Sequence, residues 1–181
     1  MAATTLQPST DAGPNDMVPH GGSGPHAQRV QDSNDATYLD TTVPDAWNYE
    51  HWNLANMPAG AWTIQSVVAF MRVFAPLAAA ELSLELDLGG TRHTYLTLAP
   101  NDGAPTTYTA AAATDPLGAA WTSASLDAVT VWGGEFHASG DGPGRIYEAG
   151  LTVTYVAAPA GGPVSVRTTP KLVKHLMRTG G

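Results

Sequence analysis

Cysteine is absent from the 181 residues, and charge is scarce: 8 Lys and Arg against 16 Asp and Glu. Without thiols there is no disulfide scaffold, no thiolate metal site and no cysteine nucleophile, and the redox compartment stays open. A net charge of −8 argues against broad nucleic-acid binding, because a polyanion needs a basic face on which to release its counterions. No run approaches 18 consecutive apolar residues, and the first 30 positions lack a basic segment followed by an apolar one. Neither a membrane span nor a signal peptide is therefore expected. What is present is 43% hydrophobic residues with 19 Gly and 14 Pro, the composition of one turn-rich, mostly β domain with tails.

Charge is unevenly placed. Residues 1–45 carry six acids against Arg29, and residues 46–157 carry ten acids against Arg72, Arg92 and Arg145. Residues 158–181 carry no acid and four bases, Arg167, Lys171, Lys174 and Arg178. A basic end on an acidic body suits docking on an acidic surface, its own or a neighbour's.

The first 30 residues are rich in Pro, Gly, Ser, Thr and Asn, with a run at 20–25 that offers nothing to bury. They predict an extended arm over 1–35 rather than an independent fold. From Ala36 strand patterns begin: Ala36-Thr37-Tyr38-Leu39, then the aromatic stretch 47–54, then an apolar run from Trp62 to Phe74 that is greasy on both faces. Glu81-Leu82-Ser83-Leu84-Glu85-Leu86-Asp87-Leu88 alternates strictly, which marks a half-buried strand. Gly89-Gly90 turns it into 92–98 as a hairpin. Strands over 106–109, 129–132 and 145–156 complete the set, with one hydroxyl-capped helical turn over 122–127. In the last strand Tyr147, Leu151, Val153 and Tyr155 share one parity.

About eight short strands without a long helix predict an all-β, antiparallel two-sheet β-sandwich of jelly-roll type over 36–157, with an Ig-like sandwich as the competing arrangement. After a small-residue linker, residues 169–180 read as a short helix with Thr169 as N-cap, Pro170 at the first position and Gly180 as the stop. Leu172, Val173, Leu176 and Met177 form its apolar stripe, ringed by Lys171, Lys174 and Arg178. Ten residues are too few for a stable isolated helix, so the segment 158–181 is expected to need a partner groove.

Catalytic patterns are missing. No G-x-S-x-G elbow occurs, and the histidines His20, His26, His51, His93, His137 and His175 show no H-x-x-x-H or H-E-x-x-H spacing. Asp32, Asn34 and Asp35 have oxygen chemistry but lack the glycine and distal glutamate of a calcium loop, and fit an Asx turn better. The glycine-rich loop 139–144 contains Asp141, which repels phosphate. Glu81, Glu85 and Asp87 share the predicted solvent face, opposite the leucines, and read as solvated charge rather than as a glycosidase pair. No enzyme activity, cofactor or metal is expected. The ambiguous feature is aromatic: Trp47, Tyr49, His51 and Asn53 share one strand parity, and Trp47 and Tyr49 are candidates for a glycan or subunit contact. Trp52, Trp62, Trp121 and Trp132 read as core.

The order of features resembles small jelly-roll structural proteins of tailed bacteriophages, of the minor tail, minor capsid or head-decoration type. The residues that carry the likeness are Asp35-Ala36-Thr37-Tyr38-Leu39, Phe70-Met71-Arg72-Val73, Asp115-Pro116-Leu117-Gly118-Ala119-Ala120-Trp121-Thr122, Arg145-Ile146-Tyr147-Glu148 and Thr154-Tyr155. The resemblance covers about residues 30–156. It implies a virion component without catalytic activity, commonly a homotrimer or larger ring, contacting other virion proteins such as a major capsid or tail protein. Arm, two-faced strand and detached helix all ask for partner surface, which favours assembly by arm exchange. The alternative is a carbohydrate- or receptor-binding sandwich using Trp47, Tyr49 and the loops around Asp102 and Asp141.

Overall fold

Strict alternation in a strand places its apolar residues on one side, and Leu82, Leu84 and Leu86 are all fully buried while Glu81 is exposed. The same rule builds the rest of the computed structural model, which describes residues 1–21, 24–31, 35–41, 43–75, 80–100 and 103–158. Its strands are β1 (Ala2–Leu6), β2 (Pro8–Asn15), β3 (Val18–His20), β4 (Tyr38–Asp40), β5 (Asn48–Leu54), β6 (Trp62–Phe74), β7 (Glu81–Leu88), β8 (Thr91–Leu98), β9 (Thr106–Ala111), β10 (Thr130–Phe136) and β11 (Arg145–Ala157). A 3₁₀ turn covers His26–Val30, and one helix, α1 (Ser123–Ala128), is capped by Thr122, whose side chain accepts from the Ser125 N–H.

One sheet has the order β3-β4-β11-β6-β9, with β1 also on β11; the other has the order β2-β5-β10-β7-β8. From β4 onward the chain changes sheets at every step except the β7–β8 hairpin. This leaves β4-β11-β6-β9 facing β5-β10-β7-β8, the double Greek key of a jelly roll. The hairpin turns at Gly89 and Gly90, both at positive φ (62° and 83°), as a two-residue turn of matching twist requires. Between the sheets, Val67, Ala69, Met71 and Val73 of β6 meet Trp52, Leu84 and Val131 from the other side.

The N-terminal segment is not a free arm. β1 pairs with β11 from Ala2↔Tyr155 to Leu6↔Leu151, β2 pairs with β5, and β3 pairs with β4. Leu6, Met17, Ala27 and Val30 are buried in the shared core. These four anchors are spaced too irregularly to show a period, and the polar stretches between them are edge strands held by main-chain bonds. Such an edge also tolerates prolines such as Pro8.

Two further expectations change. A register shift between Ile146 and Glu148 reverses the parity of β11, so Ile146 enters the core ahead of Ala149, Leu151 and Val153, and Tyr147 packs beside Tyr38 at 5.4 Å between ring centroids. The outer face of β6 is covered from within the chain: Phe70 is buried against Gly150, and Phe74 lies near the Arg145 guanidinium, which stacks on Tyr38 at 4.6 Å. Residues 159–181, with the expected helix and its Lys171, Leu172, Val173, Lys174, Leu176, Met177 and Arg178, lie outside the described residues.

Candidate binding face

Period two along β5 turns Trp52 and Leu54 inward and leaves Tyr49, His51 and Asn53 on the outer face of the five-stranded sheet. The ladder sets Tyr49 opposite Gly134, His51 opposite Trp132 and Asn53 opposite Thr130 on β10. β10 in turn faces β7, with Gly134 opposite Ser83, Trp132 opposite Glu85 and Thr130 opposite Asp87. Rows of three residues therefore cross the sheet. Their aromatic members touch, since rings on facing strands are close enough to pack.

Trp47, just before β5, is 38% exposed and stacks on Tyr49 at 5.8 Å and 18°. It also leans on Phe136 at 5.9 Å. Tyr49 meets the Trp132 ring edge-on at 6.2 Å. Trp132 stacks on His51 at 4.0 Å and 14°, and the Arg92 guanidinium lies 3.7 Å from its ring centroid. Arg92, on β8, is ion-paired to Glu85 at 3.1 Å. His51 is fixed at both nitrogens, by the Gly13 carbonyl and by Thr130 Oγ1 at 2.8 Å. Burial pushes the Tyr49 phenol pKa up, and the nearby Glu85 carboxylate adds to the rise while Arg92 opposes it.

The structure thus brings Trp47 and Tyr49 together on one patch. It corrects the reading of Trp132, whose ring belongs to this outer face and not to the core. Trp52 and Trp121 are buried, and Trp62 is partly buried against Tyr155. The sequence carried a signal for Trp132, since Thr130 and Trp132 share the parity opposite the buried Val131, but Gly133 and Gly134 interrupt the pattern. Of the two loops proposed to border the patch, Asp141 lies in a turn closed by its N–H to the Ala138 carbonyl, and Asp102 is outside the described residues.

On the inner side, two carboxylates went unsuspected in the sequence. Glu50 is fully buried and accepts from the Met17 N–H at 2.7 Å, with His26 Nδ1 at 3.0 Å. Burial drives its pKa up to about 7 against the lowering effect of those bonds. Glu135, likewise buried, accepts from the Gly144 N–H at 2.8 Å and contacts His137; burial raises its pKa as well. Both clamp irregular backbone to the sandwich, and Glu50 holds the N-terminal segment. Among the described residues no group of three or more His, Cys, Asp or Glu is placed to hold a metal ion. A hollow of about 370 Å³ beside β6, walled by Ile64, Val68, Ala111 and Trp121, has no ionisable lining residue.

No family model matches this sequence, and no curated protein matches it. Solved structures similar in shape include the following two. The enzymatically active domain of tailspike protein 4 of bacteriophage CBA120 aligns at 12% identity and a TM-score of 0.42 over 84% of this chain, which spans 19% of the tailspike chain. The xylan-binding module CBM15 aligns at 10% identity and a TM-score of 0.43, over 86% of this chain and 97% of that one.

Proposed function

We propose that this chain is a non-catalytic binding module that holds a saccharide on the outer face of its five-stranded sheet. The observation that carries the reading is the exposed Trp47 ring, supported from beneath by Tyr49 and Phe136. A large aromatic left facing solvent on a rigid sheet, braced by other rings and bordered by polar groups, gives a sugar an apolar platform and hydroxyl partners together. Glu85, Arg92 and Asn53 supply that border. The resemblance to small phage structural proteins supports placing the module on a virion, as a decoration or minor tail component in contact with its own copies or other virion proteins. In that setting the aromatic face serves host-surface recognition.

The test is a glycan array with the full chain, repeated with Trp47→Ala. A specific sugar signal lost in the variant supports the reading. A blank array with an intact fold removes it, and if the chain then binds purified virion proteins through Trp47, the face is a subunit contact.

A further inference from the structure

Two polar atoms on this face are buried without a bonding partner: Ser83 Oγ and Trp132 Nε1. Ser83 is 4% exposed although its side chain lies on the outer side of β7. A buried hydroxyl or indole N–H that bonds nothing destabilises a fold, so two in adjoining rows of one sheet call for a group that completes them.

Tyr49 covers Ser83 and meets the Trp132 ring beside it. A Cβ placed on Gly134 would meet Ser83 Oγ and come within 2.7 Å of Tyr49 Cε1, so the tyrosine ring leans across the bare glycine toward the serine. Among the described residues nothing hydrogen-bonds the Tyr49 hydroxyl; its ring is held only by packing against Trp47, Trp132 and Arg92. Two side-chain torsions turn it aside, and Trp47 then keeps Phe136 as its support.

The geometry points to Tyr49 as a gate over a notch, floored by Gly134, in which Ser83 Oγ and Trp132 Nε1 receive hydroxyl groups of a neutral saccharide stacked on Trp47. This rests on the saccharide reading above. The indole N–H only donates, while the serine hydroxyl donates or accepts, so two sugar hydroxyls satisfy both. Neutrality follows from the border: Glu81, Glu85 and Asp87 line β7 beside the notch and Asp16 bonds the Tyr49 N–H, against Arg92, which Glu85 already occupies. A uronate brought here meets like charge on two sides.

The probes are cellohexaose, xylohexaose, mannohexaose and polygalacturonate, titrated calorimetrically into wild type, Trp47→Ala and Ser83→Ala, with melting temperatures recorded for each. We expect a neutral hexasaccharide to bind, W47A to abolish that binding, and S83A to weaken it about five- to tenfold, one lost hydrogen bond, with an unchanged or higher melting temperature. S83A matching wild type while W47A abolishes binding overturns the notch and leaves the platform. Polygalacturonate outcompeting the neutral sugars overturns neutrality. If no probe binds, platform and notch fall together.

Discussion

The Arg92 guanidinium carbon sits 3.7 Å from the centroid of the Trp132 indole. Arg92 belongs to β8 and reaches across β7 to get there, anchored on the way by Glu85. His51, from β5 on the other side of β10, stacks on the same ring. Trp132 is therefore enclosed by neighbours from both flanking sides, and the aromatic surface left for a ligand is that of Trp47. The arginine, tryptophan and histidine stitch four adjacent strands of the sheet into one unit.

Removing the guanidinium tests this directly. Arg92→Ala is expected to destabilise the fold by about 1 kcal/mol, chiefly through the lost cation–π stack, since the exposed pair with Glu85 contributes little. Trp132 emission should shift to the red as water reaches the ring. Arg92→Lys, which keeps the charge but not the flat stack, should fall in between. An unshifted spectrum with unchanged urea stability in R92A would show the stack to be energetically silent.

Gly134 is required by what lies over it. Gly134→Ala drives a methyl into the Tyr49 ring and the Ser83 hydroxyl, at an expected cost of about 1–3 kcal/mol in the range for overpacked sites. If the clash with Tyr49 dominates, adding Tyr49→Ala should recover part of the loss. A double-mutant cycle by chemical denaturation reads the coupling, and strict additivity would refute it.

How far the sequence reached depends on how much each element carries in its own neighbourhood. The four alternating leucines of β7 and the Gly89-Gly90 turn are local signals, and both fold as written. Trp47 and Tyr49 are visible for the same reason, as one parity running into β5 opposite Trp52 and Leu54. The N-terminal segment carries no local signal because β1 and β2 are stabilised by partners more than 30 residues away, such as Asp11↔Trp52 and Leu6↔Leu151. A polar edge strand has no periodicity of its own. Ser83, Gly134 and Arg92 acquire meaning only when β7, β8 and β10 lie side by side, and a bulge such as that at Ile146 and Glu148 in β11 defeats parity counting altogether.

The integration of the N-terminal segment makes a clear prediction. Leu6 closes the pairing of β1 with β11 and is buried in the common core. A solvated arm would tolerate Leu6→Ala within a few tenths of a kcal/mol, whereas a core position costs about 2–4 kcal/mol. Urea denaturation of L6A decides between them, and a wild-type midpoint would return the segment to the status of an arm.

Glu50 sets the pH dependence of the same attachment. Its pKa is about 7 in the folded chain against 4.5 in the unfolded one, because burial penalises the carboxylate more than Met17 and His26 favour it. The folded state therefore holds the proton more tightly, and between these two values stability falls as pH rises, opposite to the usual behaviour of a paired carboxylate. The contribution is fully present below pH 4.5 and lost as pH passes through 7; it amounts to about 3 kcal/mol over the window at 1.36 kcal/mol per pKa unit. Glu135, also raised by burial, adds in the same direction. Glu50→Gln removes the titrating group while keeping an acceptor for the Met17 N–H. Unfolding free energies measured from pH 5 to pH 8 should fall for the wild type and lie flatter for E50Q, with the two curves closest at pH 5. Parallel curves would mean that Glu50 stays ionised in the folded protein and that the N-terminal segment is held by a carboxylate rather than by its protonated form.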